Sequence, residues 1–264
     1  MKVNITIPVF NEEAQIEQSV SKLVSYIRRL DTLEYHIVIA DNGSTDDTER
    51  IGRSLAERYP DVRYERLKEK GRGRALRHVW SNSDADILSY MDVDLSTDLS
   101  SLPMLTSAIA NYGFDLAIGS RLLPDSRVCR GIVRECLSRT YNWLLKNSLL
   151  VSFADAQCGF KAIHKRACAE ILPRVRNQSW FFDTELLVIA QTMGYQIAEI
   201  PVKWTDDPDS RVKILSTVIE DLRGIRSLRR RILNREFGRR RERADPSSSI
   251  HCPHALFQAR NDAV

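Results

Sequence analysis

Val3-Asn4-Ile5-Thr6-Ile7-Pro8-Val9-Phe10-Asn11-Glu12 decides how the chain is read. Its first seven residues form an apolar run of strand type that stops abruptly at polar residues. Over residues 12–30 the period changes. Ile16, Val20, Leu23, Val24 and Ile27 recur at helical spacing and share one face. Residues 35–40 are a second apolar strand. The unit then repeats, with strands expected at 62–67, 86–91 and 114–119 and a helix at 73–80. Ser44 or Thr45 is placed to cap the helix after the second strand, with Asp46 and Asp47 in its first turn. The second half reads as helices at 134–150, 183–193 and 212–233 and strands at 158–163 and 197–204. This alternation predicts an α/β fold with a mixed, mostly parallel central sheet and helices on both faces.

The 264 residues suit one large domain, and 43% hydrophobic with 28% charged residues is ordinary for a globular chain. Five cysteines without a CxxC pair read as free thiols in a reducing compartment, not as a disulfide framework or a zinc site. Strand-like sequence from Val3 leaves no room for a signal peptide, and no run of about 18 apolar residues predicts a membrane span. The net charge of +4 is uneven: ten arginines and two glutamates lie between Arg223 and Arg243. That asymmetry fits contact with an anionic surface or a solvated helix end. Residues 244–264 show no period and are expected to be disordered.

Ligands of open α/β sheets bind beyond the carboxyl ends of the strands. Three such ends are polar here: Asn11-Glu12, Asp41-Asn42-Gly43-Ser44-Thr45-Asp46, and Asp92-Val93-Asp94-Leu95-Ser96. If the fourth strand runs through Asp92 and Asp94, their spacing of two turns both carboxylates to one face. Hard oxygens so paired suit Mg²⁺ or Mn²⁺, and Ser96 continues that face. A capping or turn pair is the structural alternative. Gly71-Arg72-Gly73 also opens a helix after a strand, as a dinucleotide site would. The third glycine position is Leu76, however, and this is the third unit, not the first.

Together these segments resemble a family 2 glycosyltransferase of the GT-A fold. Gly119-Ser120-Arg121, Asp155-Ala156-Gln157-Cys158-Gly159-Phe160-Lys161, Phe182-Asp183-Thr184-Glu185-Leu186-Leu187 and Glu199-Ile200-Pro201-Val202-Lys203-Trp204 are similar to the polyprenyl-phosphate hexosyltransferases, the glucosyl branch before the mannosyl. The resemblance covers residues 3–215. It implies that Pro8, Val9, Asn11 and Glu12 line the nucleotide base and ribose, that Asp41 contacts the base or ribose, and that Asp92, Asp94 and Ser96 hold the metal on the diphosphate. Asn42 stands where the family usually has a second aspartate. Gly71 and Arg72 match a donor-side segment in which Arg72 replaces the family's lysine. Arg121, Arg134, Ser138 and Arg211 match positions that bind the acceptor phosphate. Asp183 matches a carboxylate that acts as general base toward hydroxyl acceptors. With a phosphate acceptor it orients sugar hydroxyls or the metal site, and a helix cap is its structural alternative.

The expected reaction is inverting, metal-dependent transfer of a hexose from a nucleotide sugar, UDP-glucose before GDP-mannose, to a polyprenyl phosphate. The alternative is a family 2 enzyme with a sugar or other hydroxyl acceptor. A nucleic-acid role for the arginine run is disfavoured because Phe237 is its only aromatic residue. The expected organisation is a catalytic domain at 1–221, a basic amphipathic helix at 222–243 on an anionic membrane surface, and a tail at 244–264. The expected location is cytoplasmic, peripheral on the membrane face.

Overall fold

The computed structural model describes residues 1–206 and 214–238. Its centre is a seven-stranded sheet in the order β3-β2-β1-β4-β7-β5-β8. These strands are β1 (Lys2–Val9), β2 (Glu34–Asp41), β3 (Val62–Arg66), β4 (Ile87–Met91), β5 (Leu116–Ser120), β7 (Phe160–His164) and β8 (Ile197–Pro201). Only β7 is antiparallel to its neighbours. The mixed, mostly parallel sheet expected from the alternation is therefore present. The chain winds outward from β1 through β2 to β3, then returns to place β4 on the other side of β1. That reversal opens a crevice beyond the ends of β1 and β4.

Side-chain alternation divides the core in two. Along β2, Ile37 and Ile39 join Ile5, Ile7, Val20 and Leu23 on one face of the sheet. Val38 and Ala40 join the opposite face with Leu76, Trp80, Phe182 and Leu186. The first face is covered by α1 (Ile16–Ile27), α2 (Thr48–Arg58) and α4 (Leu102–Ala110). The second carries α3 (Arg72–Asn82), α5 (Ile132–Leu149), α6 (Lys165–Ile171), α7 (Phe182–Thr192) and α8 (Ile214–Leu233).

Several local expectations are corrected. Helix α2 starts at Thr48, and neither Ser44 nor Thr45 caps it; the Asp46 carboxylate accepts the Thr48 N–H at 3.1 Å. Ser44 instead accepts the Asn11 N–H at 3.0 Å and ties the first two strand ends together. The strand expected at 197–204 breaks after Pro201, and β9 (Lys203–Thr205) pairs with β6 (Arg127–Cys129) in a separate two-stranded sheet. Helix α8 lies within the helix expected at 212–233. Its apolar stripe is not one free face: Ile225 and Leu228 are buried in the core, while Leu222 is exposed. Arg231 is buried as well and pairs with Glu185. The expected tail at 244–264 lies outside the described residues.

Asp221 sits at 6% exposure where α8 docks. Burial, reinforced by Glu220, pushes its carboxyl up to about 7. The folded state thus binds this proton more tightly than the unfolded chain, so stability falls as pH rises from about 4 to 7. Asp221→Asn is expected to raise the melting temperature more at pH 8 than at pH 5. An equal gain at both would remove the titration of Asp221 from the account.

Candidate active site

The crevice is built where β1, β2 and β4 end beside the start of antiparallel β7. Of the two readings of the acidic pair, the turn is the one the structure shows, and the fourth strand does not run through Asp92 and Asp94. It stops at Met91, and residues 92–95 turn, with the Leu95 N–H donating to the Asp92 carbonyl at 3.2 Å and Leu95 at φ 50°. Asp92 and Asp94 therefore line one pocket by way of a turn and not through strand alternation. Asp94 accepts the Ser96 N–H at 2.9 Å. Gly159 packs so closely that a Cβ there would stand 1.8 Å from the Asp92 Oδ2. Any side chain at 159 would push the Asp92 carboxylate out of place.

Beside Asp92 lies a charged cluster drawn from four elements. Arg72 begins α3, and its guanidinium reaches Asp92 at 2.7 Å and Asp183 at 3.8 Å. It is held between the rings of Tyr90 and Trp180, 5.0 and 5.1 Å from their centroids. Gly71 before it has φ 154°, and a Cβ there would meet the Gln178 carbonyl oxygen at 2.5 Å. Tyr90 and Lys161 are register partners on β4 and β7, so their side chains share a face. Lys161 is 2% exposed, and its ammonium donates to the Tyr90 hydroxyl at 3.1 Å and to the Cys158 carbonyl, and pairs with Asp183 at 3.2 Å. Three donors thus meet three acceptors. The Tyr90 hydroxyl donates to the Asp183 Oδ1. Burial, with Asp183 next, keeps Tyr90 well above its ordinary value and so a neutral donor. Asp183 lies in the first turn of α7, but Phe181 is the cap residue, which removes the capping alternative. The sequence reading assigned no role to Tyr90 or Lys161. The available signal was a lysine inside an otherwise apolar strand.

This fold can be set beside known proteins. The model of glycosyl transferase family 2 matches residues 4–172. The chain belongs to glycosyl transferase family 2. Glycosyltransferase AglD of Haloferax volcanii is 33% identical over 83% of this chain and 35% of its own length. Dolichyl-phosphate beta-glucosyltransferase ALG5C of Trichomonas vaginalis is 28% identical over 79% of this chain and 65% of its own. The chain thus spans about a third of one relative and just under two thirds of the other. Glucosyl-3-phosphoglycerate synthase of Mycobacterium tuberculosis, solved with uridine diphosphate, superposes with a TM-score of 0.65 at 20% identity, over 86% of this chain and 80% of that one. The shared architecture is the GT-A fold.

In this family 2 domain the first two strand ends form one knitted wall. Asn11, at φ 57°, accepts the Thr45 N–H on its side chain at 2.8 Å, and the Glu12 N–H donates to Thr48 at 2.8 Å. Pro8 is half-buried and Val9 buried beneath that wall. Asp41 is fully buried; one carboxylate oxygen accepts the Ser44 N–H at 2.8 Å and the other the Tyr64 hydroxyl. It shapes the wall from behind and offers no exposed oxygen to a base or ribose, which corrects the expectation of direct contact.

The acceptor-side residues divide likewise. Arg121 is engaged by Asp155 in a bidentate pair at 2.7 and 3.0 Å, which uses its Nε and one Nη. Burial alone would raise the Asp155 carboxyl, but Arg121 holds it below its ordinary value. Arg121 thus braces the end of β5. Arg134 and Ser138 lie one turn apart on α5. Arg134 is 38% exposed and pairs with Asp206. The Ser138 Oγ is buried without a hydrogen-bond partner among the described residues. Arg211 lies outside the described residues.

The acidic turn offers donors of the type a hard cation takes. Partial burial, with the side chain 39% exposed, pushes the Asp92 carboxyl above its ordinary value; Arg72 opposes this and Asp94 adds to it. The two carboxylates line one small pocket with Ser96 and are hard donors suited to Mg²⁺ or Mn²⁺. Among the described residues no group of three or more His, Cys, Asp or Glu is placed to hold an ion. Such an ion would therefore complete its shell with phosphate and water oxygens, as Mg²⁺ commonly does.

Proposed function

We propose that this family 2 enzyme transfers a hexose from a nucleotide sugar, UDP-glucose before GDP-mannose, to a polyprenyl phosphate with inversion. The observation that carries the reading is the acidic turn of Asp92 and Asp94 at the sheet crevice, flanked by Arg72 and Lys161. Relatives named dolichyl-phosphate beta-glucosyltransferases support the acceptor class. A structural neighbour solved with Mn²⁺ and UDP-glucose supports the donor and the cation.

A phosphate monoester is largely dianionic at neutral pH and attacks the anomeric carbon without a general base. The nucleoside diphosphate leaves as the new bond forms. When bound at Asp92 and Asp94, the cation supplies charge neutralisation for that leaving group. Arg72 stands beside Asp92 to add a second positive charge where negative charge develops. Asp183, fixed on one oxygen by Tyr90 and Lys161, presents the other toward Arg72 and is placed to orient sugar hydroxyls. Arg134, partly exposed on α5, receives the acceptor phosphate by its planar fork.

Arg134→Ala is expected to raise the KM for polyprenyl phosphate about tenfold or more, by loss of a charge-assisted contact. The Kd for UDP-glucose should stay within about twofold. Lysine should rescue only in part. A weakened donor with an unchanged acceptor KM would put Arg134 on the other substrate and remove the proposed acceptor site.

A further inference from the structure

Helix α5 places Ile132, Cys136, Arg139, Trp143 and Lys146 at steps of three and four residues, so they lie along one stripe, and Leu150 follows as the left-handed C-cap residue at the end of the helix. All six are exposed: Ile132 and Leu150 at 81%, Trp143 at 64%. The stripe is turned away from the side on which Ser138, Asn142 and Leu145 are buried. Helix α8 packs against α5 and repeats the pattern. Its Leu222, Arg226, Arg229 and Leu233 also step by three and four and are exposed, with Leu233 at 73%. Large apolar side chains alternate with cations on both helices. Glu135, the one acid on α5, is paired with Arg130 and Arg139. No acid occurs between Leu222 and Arg235.

We propose that the outward stripes of α5 and α8 together form the face on which this protein docks to an anionic lipid bilayer. Charge selects the occupant: every unpaired charge on these stripes is positive, as an anionic leaflet requires. Spacing agrees, since isolated Ile, Trp and Leu side chains set among arginine and lysine suit shallow insertion at headgroup depth. A protein partner would instead favour an apolar centre depleted of lysine. The proposal rests on the lipid-phosphate reading above only for its purpose. It moves the lipid contact from the 222–243 stripe, whose Ile225 and Leu228 are core residues, to α5 and the exposed flank of α8. It also makes α5 two-sided, with Arg134 on the acceptor side and Trp143 toward lipid.

The test is co-sedimentation of the full chain with phosphatidylglycerol–phosphatidylcholine vesicles containing no acceptor, so that the outcome does not depend on the reaction. Wild type is expected to bind these and not pure phosphatidylcholine vesicles, and to dissociate as salt rises. Trp143→Glu and Leu150→Glu should each weaken binding at least about tenfold, because a carboxylate replaces an inserting apolar group. Arg226→Gln with Arg229→Gln should weaken it and flatten its salt dependence. Trp143→Phe should keep binding yet lose most of the tryptophan quenching by brominated lipid. The substituted residues are exposed, so unchanged melting temperatures check the fold. Failure of wild type to bind, or equal binding by the glutamate variants, would overturn the proposal. So would self-association abolished by Trp143→Glu without vesicle binding, which would assign the face to a second copy. Activity on a short water-soluble isoprenyl phosphate, measured in parallel, reports on the proposed reaction separately.

Discussion

Asp94→Asn is expected to lower turnover at least about a thousandfold while leaving the melting temperature nearly unchanged. The asparagine side-chain oxygen can still accept the Ser96 N–H that Asp94 accepts at 2.9 Å, so the turn after β4 is kept. What disappears is a negative charge that an amide cannot replace toward a hard cation. Several kcal/mol of leaving-group stabilisation go with it. Treating wild type with EDTA should produce the same loss, and Mn²⁺ or Mg²⁺ should restore wild type but not the variant. Full activity in EDTA would remove the cation from the account.

Lys161→Met is expected to be the most destabilising single change in the cluster. Lys161 and Asp183 are both buried and paired at 3.2 Å. Removing one partner strands the other charge, which costs about 3–5 kcal/mol. For a chain of this size that is a fall of roughly 10 °C in melting temperature. Adding Asp183→Asn removes the stranded carboxylate and should recover part of the stability, but not turnover. A double variant no more stable than Lys161→Met alone would show that the ammonium acts through packing and not through Asp183.

Much of this fold was legible because strands and helices carry different apolar periods. Residues 3–9 and 35–40 are buried strands bounded by polar residues, and they became β1 and β2. The functional edge was legible for the same reason: polar groups at the end of an apolar strand point to a ligand or to another polar group. Strand direction was not legible. Residues 160–164 have the same pattern in either orientation, and only the sheet shows that antiparallel β7 brings Gly159 against Asp92. The turn after Met91 stood only as the alternative because Val93 continues an apolar alternation that the backbone abandons. The Tyr90–Asp183 contact joins residues 93 apart in sequence, a separation no local pattern encodes. Helix α8 shows the same limit. An apolar stripe looks alike whether it meets lipid or a protein core, and here Ile225 and Leu228 meet the core.

Hexosyl transfer to a lipid phosphate is tested most directly by offering polyprenyl phosphate and soluble hydroxyl acceptors side by side, with UDP-[¹⁴C]glucose and Mn²⁺. Label is expected to enter the organic-extractable lipid as a monophosphate glycoside, phosphate-free polyprenol is expected to take none, and EDTA should abolish the transfer. Label appearing only on hydroxyl acceptors, with polyprenyl phosphate left unglycosylated, would contradict it.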